Sequence, residues 1–133
     1  MLDANLCIRV LRDRPVYIKE RFKTEAQTLA ISTVVLYELY HGAARSNRPD
    51  IQRANVDAFA AQIHVVDFDA SAADHAADIK ASLAANGNLI GPNDLLIAGH
   101  ARSLGMKLIT GNLREFARVE GLRCEDWLAE DSK

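Results

Sequence analysis

Residues 90–101 read Ile-Gly-Pro-Asn-Asp-Leu-Leu-Ile-Ala-Gly-His-Ala, and the acid at their centre, Asp94, sets the problem the fold has to solve. Pro92 suits the first turn of a helix and Gly105 its end, so a helix is expected from Pro92 to about Leu104. Ile97, Ala98 and Ala101 follow Asp94 by three, four and seven residues. That spacing puts the carboxylate on the stripe that faces the core. Asp94 is also the only formal charge between Ala81 and Ala101. Burying an unpaired carboxylate is costly or forces it to take up a proton, and a bound divalent cation removes the conflict.

Working outward, two more acids stand alone. Asp3 is the only charged side chain from Met1 to Ile8, and Glu38 the only one from Thr28 to His41. Leu29–Ser32 and Lys107–Thr110 read as short buried strands. His64–Phe68 is a third candidate, Leu122–Cys124 a weaker fourth, and Met1–Leu2 the tail of another. Helices are expected near Val16–Lys23, from Ser32 or Thr33 to about Ala44, and from Pro49 to about Ala61. Another spans Ala70–Ala85, with a stripe at Ala72, Ala76, Ile79 and Leu83 and an end at Asn86-Gly87. Short strands alternating with helices imply an α/β fold whose mostly parallel central sheet is covered on both faces.

In such sheets the functional site lies beyond the carboxyl ends of the strands. Asp3 directly follows a strand, Glu38 lies about one and a half turns into the helix after one, and Asp94 begins a helix. All three can meet at that edge. Oxygen ligands without a cysteine cluster or a usable histidine pair suit Mg²⁺ or Mn²⁺ rather than zinc. Each acid has a plainer explanation: Asp3 as a helix cap, Glu38 as an exposed helix position, Asp94 as a first-turn acid favoured by the helix dipole. The coincidence of all three is what points to a site.

The 133 residues make one domain's worth of chain, expected as a single domain over 1–133. Hydrophobic residues are 49% of it and charged residues 26%, ordinary for a globular protein. No apolar run approaches a membrane span and no secretory leader is visible, so the cytoplasm is the expected compartment. Cys7 and Cys124 lie far apart without metal spacing and are expected as reduced thiols, one or both buried. A net charge of −2 excludes a polycationic binder and little else. Basic residues still cluster at Arg12, Arg14, Lys19, Arg21 and Lys23, and again at Arg45, Arg48 and Arg53.

Four segments in order resemble the successive motifs of VapC toxins, which are PIN-domain endoribonucleases. They are Leu2-Asp3-Ala4-Asn5, Tyr37-Glu38-Leu39-Tyr40-His41-Gly42-Ala43, residues 90–101, and Ile109-Thr110-Gly111-Asn112-Leu113-Arg114-Glu115-Phe116. The resemblance implies a three-layer α/β/α sandwich and an Mg²⁺- or Mn²⁺-dependent ribonuclease, the toxin of a type II toxin–antitoxin pair. Its metal-holding acids match Asp3, Glu38 and Asp94, and its fourth catalytic position, often Asp, falls on Asn112. An amide there removes one negative charge and with it firm support for a second metal. Asn5, Thr110 and Glu115 resemble supporting polar residues, and Arg114 is the nearest candidate for a phosphate contact. Ala4 stands where the family usually has Thr. Relatives carry several more residues of the first strand, so that strand is expected to be cut short.

The resemblance further implies products with 5′-phosphate and 3′-hydroxyl ends, tRNA as substrate, and a homodimer. It also implies a VapB-type antitoxin whose C-terminal segment covers the groove between the early helices and the acids. Two other readings compete. An aspartyl-nucleophile phosphatase also places Asp after the first strand, but usually wants a second acid where Asn5 stands. A binding module would leave the acids without metal. His41 is read as a polar helix residue, since a Glu-x-x-His pair needs two copies to build a di-iron site. His64, His75 and His100 form no ligand spacing, and Trp127 is read as packing.

Overall fold

The computed structural model describes residues 1–128. Its helices are α1 (Ala4–Leu11), α2 (Val16–Glu25), α3 (Thr33–Ala44), α4 (Pro49–Ala60), α5 (Ala70–Ala85), α6 (Pro92–Ser103) and α7 (Leu113–Phe116). Its strands are β1 (Ala30–Ser32), β2 (His64–Val66), β3 (Leu108–Thr110) and β4 (Cys124–Asp126). β1 pairs with β2 in parallel and β3 with β4 in parallel.

The segment at the N-terminus joins the two pairs. Leu2 N–H donates to Ala30 O at 2.9 Å, and Leu2 bridges to Ile109 in parallel. Ile109 N–H donates to Met1 O at 2.7 Å and Asp3 N–H to Ile109 O at 3.1 Å. The spatial order is therefore β2, β1, Met1–Asp3, β3, β4, a parallel arrangement that brings Asp3, Ser32 and Thr110 to one carboxyl edge. Central strands buried on both faces need apolar residues throughout. Accordingly Leu2, Ile31 and Leu108 are fully buried.

Several boundaries differ from expectation. β4 lies at Cys124–Asp126, two residues later than the expected Leu122–Cys124. Gly121, at φ +80°, holds the chain in a turn, and Leu108 N–H donates to Arg123 O at 2.8 Å to set the register. β2 stops at Val66, and beyond it Phe68 N–H donates to Thr33 Oγ1 at 3.1 Å. As an edge strand it leaves Val65 39% exposed. α2 runs on to Glu25, whose carboxylate accepts from Arg21 Nε at 2.7 Å across one turn.

The helical expectations hold more closely. α5 buries Ala72, Ala76, Ile79 and Leu83, and Asp69 caps it by accepting from Ala72 N–H at 3.0 Å. α6 buries Ile97, Ala98 and Ala101 beside Asp94. α5 and α6 touch backbone to backbone at Gly99, where an added Cβ would lie 2.6 Å from Ala76 Cα. Trp127 is wholly buried under the Arg21 guanidinium, 4.5 Å from the ring centroid, which bears out its reading as packing. Cys7 is a buried free thiol and Cys124 a half-buried one, with burial pushing both up in pKa. Among the described residues no helix is long and apolar enough to cross a membrane.

Candidate active site

Asp3 follows the central strand segment and caps α1, the plainer of its two readings. It is 2% exposed. Its Oδ1 accepts from Leu6 N–H at 2.9 Å and its Oδ2 from the Thr110 hydroxyl at 2.5 Å. Thr110 Oγ1 in turn accepts from Asn112 N–H at 2.8 Å. Burial raises the Asp3 pKa more than these two donors lower it, and the charges of Asp126 and Glu115 add to the rise.

Glu38 projects from α3, which Ser32 starts by accepting from Val34 N–H at 3.0 Å. Its Oε1 is buried without a hydrogen-bond partner among the described residues. Burial raises its pKa, the Asn93 side chain opposes the rise, and the charge of Asp3 adds to it. Asp94, in the first turn of α6, is pushed up to about 7. Burial is the main cause, followed by the charges of Glu115, Asp3 and Glu38. Gly91 leaves room for it, since a Cβ there would sit 3.3 Å from Asp94 Oδ2.

Glu115 links the two loops beside these acids. Its Oε1 accepts from Gly91 N–H at 3.2 Å and its Oε2 from Asn112 Nδ2 at 2.5 Å. Thus Asp3, Glu38, Asp94, Thr110, Asn112 and Glu115 belong to one neighbourhood. Asn5 is exposed on the first turn of α1, and Arg114 is exposed on α7 two residues past Asn112. Sequence reasoning missed two members. Asn93 hydrogen-bonds the Glu38 side chain and lowers its pKa, and Asp126 at the end of β4 lies close enough to raise the pKa of Asp3. An acid at the carboxyl end of a parallel strand was the signal for Asp126, and the misplaced β4 hid it. The remaining histidines lie in other contacts: His75 Nδ1 accepts from Arg102 Nε at 2.9 Å, His64 Nε2 lies 3.1 Å from Gln27 O, and buried His100 meets the Phe68 ring edge-on.

Among the described residues, no three Asp, Glu, His or Cys side chains are already drawn to metal-ligand spacing. Asp94 shares a hydrogen bond with Glu115, and the charges of Asp3 and Glu38 add to the rise in its pKa. A buried carboxylate oxygen lacking a donor, beside an aspartate whose ionisation three other acids oppose, is a donor set that fits a hard divalent cation.

Known proteins share both sequence and architecture with this chain. The PIN domain family matches residues 1–122. The tRNA(fMet)-specific endonuclease VapC of Shigella flexneri is 46% identical over 127 residues, 96% of either chain. The crystal structure of DNA-bound VapBC from Salmonella typhimurium superposes with a TM-score of 0.91 at 44% identity, over 96% of each chain. VapBC2 from Rickettsia felis, bound to a promoter DNA fragment, gives 0.89 at 32% identity, over 96% of this chain and 97% of that one. The chain belongs to the PIN-domain family and, within it, to the VapC ribonucleases.

Proposed function

We propose that this chain is the toxin of a VapBC-type pair, an endoribonuclease that works in the cytoplasm on tRNA with Mg²⁺ or Mn²⁺. The observation that carries the reading is the buried Glu38 Oε1 without a hydrogen-bond partner among the described residues, near Asp3, whose charge raises the Glu38 pKa, and near Asp94, whose pKa the charges of both acids raise. Asp3, anchored at both oxygens, would be the fixed ligand. Glu38 would offer its bare Oε1, and Asp94 would ionise once a cation offsets its neighbours. Asn112 and Glu115, tied to each other, would border the ion and orient its water. When bound, such an ion supplies a water of lowered pKa and stabilises charge developing on the phosphate. Glu115 also restores the negative charge that Asn112 gives up. Arg114 would meet the substrate phosphate from α7, and Asn5 would line the entry.

The tRNA assignment follows the Shigella relative's stated specificity. The partner is proposed to be a VapB-type antitoxin, as in the Salmonella and Rickettsia complexes, on a homodimer of this chain. A groove of about 670 Å³ suits its C-terminal segment: Ile8, Leu11 and Val56 line it, Arg12 and Arg14 also line it, and Glu38 connects it to the acids. The decisive experiment is brief expression in cells followed by sequencing of the new RNA ends. Ends bearing 5′-phosphates within one tRNA support the reading. Unchanged RNA from a folded, antitoxin-free protein overturns it.

A further inference from the structure

The helix that carries Glu38 presents a second chemistry beside it. Tyr37 is 61% exposed, although it is a large ring on a well-formed helix. His41 is exposed one turn on, and the two ring planes lie within 7° of parallel with centroids 6.4 Å apart. Another turn along the same stripe, Arg45 is exposed with a planar guanidinium. None of these three side chains makes a hydrogen bond or ion pair within the described residues. Beside them Gly42 faces open space where a Cβ would stand, and it lines the same groove as Glu38.

Flat groups held parallel on one helix face offer what an unpaired base stacks upon, and stacking tolerates any base because each has a π-face. Arg45 adds the positive charge that the linking phosphates require. The placement also limits which nucleotide is involved. Tyr37 and His41 lie one and three residues from Glu38, so the base belongs to a nucleotide next to the phosphate held at the acids. We propose that an unpaired base of the RNA substrate stacks on the Tyr37–His41 pair, so that this face of α3 selects a single-stranded segment for cleavage. The proposal rests on the ribonuclease reading, and its test separates the two.

The test uses full-length protein, in Ca²⁺ to prevent turnover, and RNA hairpins with 2-aminopurine at each loop position in turn. Binding to wild type should quench 2-aminopurine at one position. Tyr37→Ala should lose the quench and weaken binding by roughly tenfold. Tyr37→Phe should keep both, because stacking needs the ring and not the hydroxyl. With Mg²⁺ and a tRNA(fMet) transcript, Tyr37→Ala and His41→Ala should raise KM by a similar factor and leave kcat within about twofold. Quenching without cleavage supports the stack and removes the nuclease reading. Cleavage with no quench at any position, or an unaltered KM in Tyr37→Ala, overturns the stack. A monomer–dimer shift on Tyr37→Ala with unchanged RNA affinity also overturns it, and assigns the pair to contact between copies of this chain.

Discussion

Thr110 Oγ1 donates to Asp3 Oδ2 at 2.5 Å, joining residues 107 apart in sequence at the carboxyl ends of two adjacent strands. The same oxygen accepts from Asn112 N–H, so one hydroxyl fixes both the acid and the loop that carries Asn112 and Glu115. Thr110→Val keeps the shape but strips a donor from a buried carboxylate and an acceptor from a backbone N–H. The expected loss is about 1–3 kcal/mol of stability. Affinity for Mn²⁺ should fall by roughly 10–100-fold, as for other residues that orient a metal ligand. Calorimetry with Mn²⁺ and thermal melts check both, and wild-type values would remove Thr110 from this role.

Asp94→Asn should abolish Mg²⁺-dependent RNA cleavage while the protein stays folded. The amide keeps the shape and drops the charge that three neighbouring acids oppose. Metal-free Asp94→Asn should therefore melt no lower than wild type. Cleavage at the wild-type rate by the nuclease-free variant would take Asp94 out of the chemistry.

The same residue gives the metal-free protein a pH dependence with a defined sign. The folded Asp94 pKa is raised from 3.8 to about 7, so between these values the native state holds more proton than the unfolded chain. Stability then falls as pH rises through that window and levels off above it. Saturating Mg²⁺ should flatten the slope, because the cation replaces the proton. Urea midpoints measured from pH 4 to pH 8, with and without Mg²⁺, test it. A metal-free midpoint that rises from pH 5 to pH 7 is the contrary result.

Gly99 allows α6 to lie directly on the backbone of α5, with Ala76 where a Cβ would go. Since α6 also carries Asp94, the contact bears on the site as well as the core. Gly99→Ala should cost about 1–3 kcal/mol despite its better helix propensity, because two backbones have to move apart. A denaturation midpoint equal to or above that of wild type would mean the two helices do not touch there.

Where the sequence was legible, a period or a capping residue made it so. Ala72, Ala76, Ile79 and Leu83 repeat at helical spacing, and Asn86-Gly87 marks the end of α5. Asp3, Glu38 and Asp94 stood out because each was a lone charge in an apolar run. Strands of three residues carry no period, which is why β4 was expected two residues early and Asp126 went unnoticed. Nor could spacing show that Glu115 reaches across to Gly91, since that bond depends on how the loops before α6 and after β3 are brought side by side.

Asn112 offers the sharpest test of how the site balances charge. Its amide donates to Glu115 Oε2 at 2.5 Å, so here a neutral donor faces an acid. Asn112→Asp would turn that hydrogen bond into a repulsion between two carboxylates, beside an Asp94 already opposed by Glu115. Without metal, the variant should lose about 1 kcal/mol, lowering its melting temperature by roughly 3–5 °C. With Mn²⁺ the order should reverse, because the added carboxylate draws the cation more strongly and makes a second ion easier to hold. The measured sign should therefore cross over with metal concentration. A variant that melts below wild type at every Mn²⁺ concentration would show that Asn112 serves only to hold Glu115, and that residue 112 does not face the ion.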